Sequence, residues 1–562
     1  MLAKRFLFLC GLCLGGLSTP LSAASLTLDA PPAVLNLLRP YLPEEAGSPR
    51  RLQNQLSEIL ATEGYFKPIF ELTPQGEQLH VRIEPGPLTH ITAIDLEIQG
   101  ALPETKRAQL IQQWKLPVGQ IFRQDDWNSA KQQVLNELLA SEFADARLND
   151  SEALIDADTA SAQLRLRYDA GPRYRFGEVQ TEGLTHLPAD LIQRYNRRVR
   201  PGALYREEDL AALQNALRAT PYFSSVQVTL AREASSELPG GERSAPVRIS
   251  VRERSPQRLA FGAGASTNTG ARLETNYQHV NFLERAWELN SGLRLEERQQ
   301  TAYADVFLPP DERNRRHSVG ILGEGSDIQG LRTTRYAFGA QRIQLRGSVE
   351  QRLSLHWEQE ERRSDGTSAA TSRALAPNAL WIWRNVDNPL DPRRGTVLQG
   401  QIGGGSRALL SDQNFVRLHG RLQQYVPLGR RDNLLLRAEL GRTFAPGREH
   451  IPQDFLFRTG GAGSVRGYAY QSLGVKDGSS TMGGRYLTVL SAEATHWLDE
   501  QWGIAAFVDA GDAVDRRQES RLALGYGLGA RWKSPAGPLG IDLAYGERTQ
   551  RMQLHFALSI PF

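Results

Sequence analysis

The chain has 562 residues, 40% of them apolar, with 66 basic and 63 acidic side chains and a formal net charge of +3. Such a length predicts several folding units rather than one core, and so even a charge balance excludes a bulk electrostatic pull toward nucleic acid or acidic lipid. Beyond the amino terminus there is no run of about twenty apolar residues, which excludes a helical membrane span but not a β-barrel.

Lys4 and Arg5 precede an apolar run from Phe6 to Leu17, and small residues follow at Ser22, Ala23 and Ala24. This pattern predicts a secretory signal over 1–24. Both cysteines, Cys10 and Cys13, fall inside it. The exported chain is therefore expected to lack disulfides and to rely on sheet closure or a large core instead.

From Ser25 to Ser255 a pattern recurs. The segments "RLQNQLSEILATEGYFKPIFEL", "DDWNSAKQQVLNELLASEFADARL" and "REEDLAALQNALRATPYFSSVQVTL" each run a helical apolar face into an aromatic landmark, Phe66, Phe143 or Phe223, and then alternate as a strand. A second strand and a proline turn close each block, and Pro87, Pro172 and Pro256 recur at about 85-residue intervals, a period that marks a domain array. Three mixed α+β repeats are expected, at 25–87, 88–172 and 173–255. Each aromatic landmark is expected to plug the core of its own repeat. Exposed strand edges in such units can accept an extended peptide.

After Pro256 the helical period disappears. In "MQLHFALSIPF" the residues Met552, Leu554, Phe556, Leu558, Ile560 and Phe562 share one face, opposite Gln553, His555 and Ser559. In "LLLRAELG" Leu434, Leu436, Ala438 and Leu440 oppose Arg437 and Glu439, and in "PLGIDLAYGE" Leu539, Ile541, Leu543 and Tyr545 oppose Asp542. Apolar residues outward and charges inward is the pattern of a transmembrane antiparallel β-barrel over 256–562, with about 16 strands at about 10 residues each.

Between "LLLRAELGRTF" and "RYLTVLSAEATHWL" lies a long connection containing "DFLFRTGGAGSVRGYAYQSLG". A structureless loop of that length is usually functional or disordered, and its four aromatics argue against disorder. If it folds into the barrel, Arg466 needs a carboxylate. The strand phase places Asp509 of "FVDAG" and Glu493 of "LSAEATHW" on the inward face as candidates. The spacing also admits a solvated loop arginine. It does not support a phosphate cradle, since "GGAGSVRG" lacks both the lysine and the following helix.

Three repeats, a carboxy-terminal barrel, "VRGY" at Val465, Arg466, Gly467 and Tyr468, and "FVDAG" at 507–511 together resemble the POTRA-barrel superfamily of outer-membrane assembly factors. The resemblance implies that the "VRGY" loop enters the lumen and that Arg466 pairs with Asp509, so that exchanging their charges would restore part of any lost function. It also implies that "NVDNPLDPRRGTVLQG" is a shaped strand and turn, and that the end of the chain is a sorting strand with Phe556 and Phe562. The first barrel strand, with Gly262 and Gly264, would form a weak seam against that last strand. No nucleophile elbow or metal-ligand cluster suggests an enzyme, and no cofactor is called for.

With three repeats the resemblance points to the TamA branch, the translocation and assembly module. That branch implies a factor that inserts barrel clients such as autotransporters into the outer membrane, with the repeats in the periplasm. Its partners would be a TamB-like protein anchored in the inner membrane, unfolded outer-membrane clients and outer-membrane lipid, with no nucleic acid. A general insertase like BamA and a two-partner-type secretion channel for an exoprotein are the alternatives.

Overall fold

A computed structural model describes residues 25–42, 48–75, 78–364, 368–429, 431–534 and 537–561. The expected signal and Phe562 lie outside this set. Two compact units divide the chain, one of 1–180, 198–212 and 228–248, the other of 181–197, 213–227 and 249–562.

The first sheet joins the strands Ser25–Asp29, Ile69–Gln75 and Gln78–Glu84, with the last of these in the middle. Its covering helix, Pro49–Thr62, starts where the Ser48 hydroxyl accepts the Arg51 N–H at 3.3 Å, with proline at the first helical position. Leu52, Leu56 and Leu60 recur every fourth residue, so one stripe of the helix faces the sheet and buries against Val81 and Ile83. The second sheet repeats this order with His90–Gln99, Arg147–Asp156 and a central Ser161–Asp169. Above it, the helix Gln124–Ala140 buries Trp127, Ala130, Val134 and Leu138. A third sheet has the same order again, with Tyr174–Glu182, Phe223–Leu230 and a central Arg243–Glu253.

One expectation for the landmarks needs correction. Phe143 is fully buried in its own repeat, but Phe66 packs against the core cluster of the next repeat, 5.9 Å from the ring of Phe122. The Phe66 ring lies just beyond its helix, where the chain turns toward the second repeat. There the Thr89 N–H donates to the Gly64 carbonyl at 2.9 Å. The residue therefore ties two repeats together instead of plugging one.

Sixteen antiparallel strands among the described residues form a closed barrel, from Gln257–Ser266 to Arg551–Pro561. The strand Trp502–Val514 shows why closure suits this sequence. Ile504 and Val508 point outward and are exposed, while Ala505, Phe507 and Asp509 point inward and are buried. Residues that alternate in this way satisfy lipid on one side and a packed polar lumen on the other.

The closing ladder is short. It pairs Gly262–Ser266 with Ala557–Pro561, whereas the next ladder pairs Gln257–Ser266 with Gly270–His279 along the whole strand. At its upper end the Thr267 N–H donates to the Phe556 carbonyl at 3.1 Å, and the Phe556 N–H donates to the Thr267 hydroxyl at 3.3 Å. Among the described residues the pairing ends at its lower end with Pro561 opposite Gly262. Gly264 lies opposite Ser559 in the same ladder.

Within the second unit, the last segment before the barrel is anchored by a carboxylate. Glu253 accepts the backbone N–H groups of Thr185 (2.9 Å), His186 (3.1 Å) and Leu187 (3.0 Å). Burial alone would raise its pKa, but these donors outweigh burial and hold it down at about 2. Because the folded pKa is depressed, the anchor is at full strength above the ordinary range near 4.5 and fades as pH falls toward 2. Replacing Glu253 with Gln is expected to destabilise the 183–187 turn by about 2 kcal/mol. Hydrogen exchange of the full chain should show faster exchange of those three amides. In the unsubstituted chain their protection should persist at pH 5 and decline only below about 4.5.

Candidate functional site: the arginine loop in the barrel lumen

The connection between the strands Asp432–Phe444 and Tyr486–Trp497 folds into the barrel. It is not structureless: a short 3-10 turn, Gln453–Phe455, and a small ribbon, Val475–Asp477 with Ser480–Met482, shape it. One arm docks on the wall around Val349–Ser364. There Phe455 stacks on His356 with ring centroids 5.7 Å apart, and the Gln453 N–H donates to Glu360 at 3.1 Å. Asp454 forms an ion pair with Arg335. The other arm carries "VRGY" to strands closer to the seam.

Arg466 is 2% exposed and Asp509 is fully buried. Its Nε and Nη2 donate to the two Asp509 oxygens at 2.7 and 3.0 Å, a planar two-point contact that only a guanidinium can make. The Arg466 backbone N–H adds a third bond to Asp509 at 3.1 Å. Glu493 accepts from Nη1 at 2.6 Å, and the guanidinium lies 3.4 Å from the Phe507 ring centroid.

Three partners were not anticipated from the sequence. Asp542 accepts from Arg466 at 3.2 Å, and Arg531 donates both to Asp542 at 2.6 Å and to Glu493 at 2.7 Å. His555 Nε2 accepts the Gly467 N–H at 2.9 Å. The strand phase had already placed Asp542 and His555 inward. What it could not supply was which strands the loop reaches, because that depends on barrel closure. The cluster is thus two arginines among three carboxylates, with Arg466 and Asp509 closed off from water and the others largely so, and each charge is matched by short hydrogen bonds.

Because Glu493 and Asp542 also face Arg466, the charge exchange expected for an isolated pair does not follow. An aspartate at 466 would set a carboxylate where those two groups now meet a guanidinium.

Gly467 is required by its backbone. Its φ is +89°, and a Cβ there would lie 2.8 Å from the backbone of Tyr545. On the opposing wall, a Cβ at Gly525 would come within 1.9 Å of the Arg466 carbonyl, so that strand must also be bare where the loop lies against it. Val465 is fully buried in an apolar cluster with Phe457, Leu487 and Val489. Tyr468 belongs to the same cluster, and its hydroxyl donates to the Leu524 carbonyl at 2.9 Å and accepts the Arg548 N–H at 3.0 Å. Gly262, Gly264 and Phe556 lie apart from this cluster, on the two strands of the seam.

Comparison with known proteins follows the same division. A model described as the Omp85 superfamily domain matches 253–562, and a POTRA model, described as a surface antigen variable number repeat, matches 174–254. The outer membrane protein assembly factor BamA of Neisseria meningitidis is 22% identical over 80% of this chain and 64% of its own length. BamA of Nitratidesulfovibrio vulgaris is 28% identical over 29% of this chain and 21% of its own. The chain therefore spans less than two thirds of these relatives. A crystal structure of Haemophilus ducreyi BamA lacking POTRA domains 1–3 superimposes with a TM-score of 0.72 at 17% identity, covering 84% of this chain and 100% of that one.

Replacing Arg466 with Ala strands Asp509 without its counter-charge, at a cost of about 3–5 kcal/mol. The loop should then become cleavable by protease in intact outer membranes, and Lys at 466 should not protect it. Removing both charges, with Arg466→Ala and Asp509→Ala, should recover part of the protection. Unchanged resistance in the single variant would contradict the pinning role.

Proposed function

Since this chain belongs to the Omp85 superfamily, we propose that it is an assembly factor that inserts β-barrel clients into the membrane its own barrel occupies. That membrane is the bacterial outer membrane, with the POTRA repeats in the periplasm. The observation that carries the proposal is the five-residue closing ladder between Gly262–Ser266 and Ala557–Pro561.

In lipid an unpaired backbone N–H or C=O costs several kcal/mol, so a barrel wall normally stays shut. A wall held along five positions has the least to lose on opening. Among the described residues, the first strand from Gln257 to Phe261 pairs only with its following neighbour, leaving a free edge toward the periplasmic end. A client strand can add to such an edge by main-chain hydrogen bonds, which do not depend on client sequence. The loop held by Arg466 keeps the lumen filled while the seam opens, so that the wall can part without making a leak.

We assign the chain to the TamA branch on its three repeat sheets before the barrel. A TamB-like partner anchored in the inner membrane and clients such as autotransporters follow from that assignment. The BamA relatives favour a second reading, a general insertase. Photocrosslinking in cells from positions in the first repeat and the periplasmic barrel turns separates the two. Capture of one very long inner-membrane-anchored protein supports the first reading, and capture of small outer-membrane lipoproteins supports the second.

The insertion mechanism itself is tested by a lock. With Gly264→Cys and Ser559→Cys, the two thiols face each other across the seam. Oxidised protein reconstituted in liposomes should lose client insertion at least about tenfold, and reduction should restore it. Full activity in the oxidised form would refute seam opening.

A further inference from the structure

The outer wall of the barrel carries a groove that neither the lumen loop nor the seam uses. It has a volume of about 930 Å³ and runs across six neighbouring strands, from Trp381 through Gly400, Gly420, Leu440 and Thr488 to Val514, and then to the loop that bears Arg517 and Ser520. Trp381, Ile402, Leu418 and Leu440 around it are exposed, which places the groove on the lipid-facing side. Glycine makes it deep. Gly400 and Gly420 are register partners on neighbouring strands, so two adjacent outward positions have no side chain between flanking leucines and isoleucine.

At the loop end the groove turns basic. Arg442 projects outward two residues beyond Leu440. Its guanidinium lies 3.9 Å from the Phe444 ring centroid and 5.2 Å from that of Tyr486. The stacking fixes the plane of the guanidinium and leaves its N–H edge free, since among the described residues no carboxylate forms an ion pair with Arg442 or Arg517. The carboxylate lining this end, Asp512, is buried and already accepts the backbone N–H of Arg521 at 3.0 Å and an Arg548 N–H at 3.4 Å. Because Gln257–Ser266 follows the periplasmic repeats and strands alternate in direction, the end of Asp432–Phe444 that carries Arg442 lies at the outer surface of the membrane.

We propose that this groove is a binding site for a phosphorylated, multiply acylated glycolipid of the outer leaflet. One acyl chain lies over Gly400 and Gly420, and a headgroup phosphate bridges Arg442 and Arg517. The argument is charge complementarity at one end of an apolar trough: planar guanidinium groups suit phosphate oxygens, and acyl chains fill a dry concave surface. A lipid held there would anchor the wall on the side of the barrel away from the first strand.

The test uses the full chain purified in mild detergent, with retention of added diphosphoryl lipid A read by native mass spectrometry. Retention should exceed that of a zwitterionic phospholipid of equal chain length by about tenfold. Replacing Arg442 and Arg517 with Ala together should remove that preference. Gly420→Leu fills the trough without strain, because the nearest atom to a Cβ there is 3.9 Å away; it should lower retention of lipid A while leaving heat-modifiable mobility of the barrel intact. Equal retention in the wild type, the double arginine variant and Gly420→Leu would overturn the proposal. So would inorganic phosphate at millimolar concentration fully displacing the lipid, which would show a headgroup-only contact. A second copy of the chain found crosslinked at Gly420 would likewise assign the groove to self-association instead. Client insertion plays no part in these readouts, so they stand or fall independently of the insertase proposal.

Discussion

Backbone hydrogen bonding in a medium without water is the constraint from which most of this barrel follows. A strand in hydrocarbon must have both edges paired, so sixteen strands close on themselves and the chain's last strand must meet its first. The same demand makes the seam informative. The pairing of Leu331–Arg346 with Val349–Ser364 runs the length of both strands, whereas the closing ladder is cut to five positions among the described residues. At its upper end a threonine hydroxyl stands in for a backbone partner.

A barrel of this width leaves a lumen that side chains from the wall alone do not fill. The loop carrying Arg466 occupies it, and burial of its arginine has consequences for distant parts of the chain. A buried guanidinium is tolerable only when its donors meet acceptors, and those acceptors come from three different strands, at Glu493, Asp509 and Asp542. Arg531 ties two of the three carboxylates together, so the cluster braces neighbouring strands as well as holding the loop. The second arm, at Gln453 and Phe455, grips the opposite part of the wall by aromatic stacking and a carboxylate-to-amide bond. Anchored at two places, the loop crosses the lumen as a strap.

The repeats obey different physics. Each is a small sheet under amphipathic helices, so each must bury a separate apolar face in water. Phe66 shows how such units become coupled without a large interface: one ring leaves its own helix and enters the neighbouring core. Glu253 achieves a comparable effect with charge, holding three consecutive amides of the turn that precedes Asn281's contact with the His186 carbonyl.

Local patterns in the sequence determined the repeat array, the barrel class, the inward phase of Asp509, Glu493, Asp542 and His555, and the candidacy of Arg466. Each is a matter of period along one segment, and a two-residue or 3.6-residue period is legible wherever one face meets a different medium. Tertiary structure alone decided which inward residues meet. Asp542 lies 76 residues from Arg466 and joins it only because the barrel curls the two into reach. Gly525 and Gly546 look like ordinary strand glycines until the loop backbone is laid against them. The outer groove is of the same kind: Gly400 and Gly420 are unremarkable one at a time, and register across two strands makes them a site. Period is a property of one strand, whereas register, closure and burial are properties of strands brought together, and these are set by the requirement that every edge in lipid find a partner.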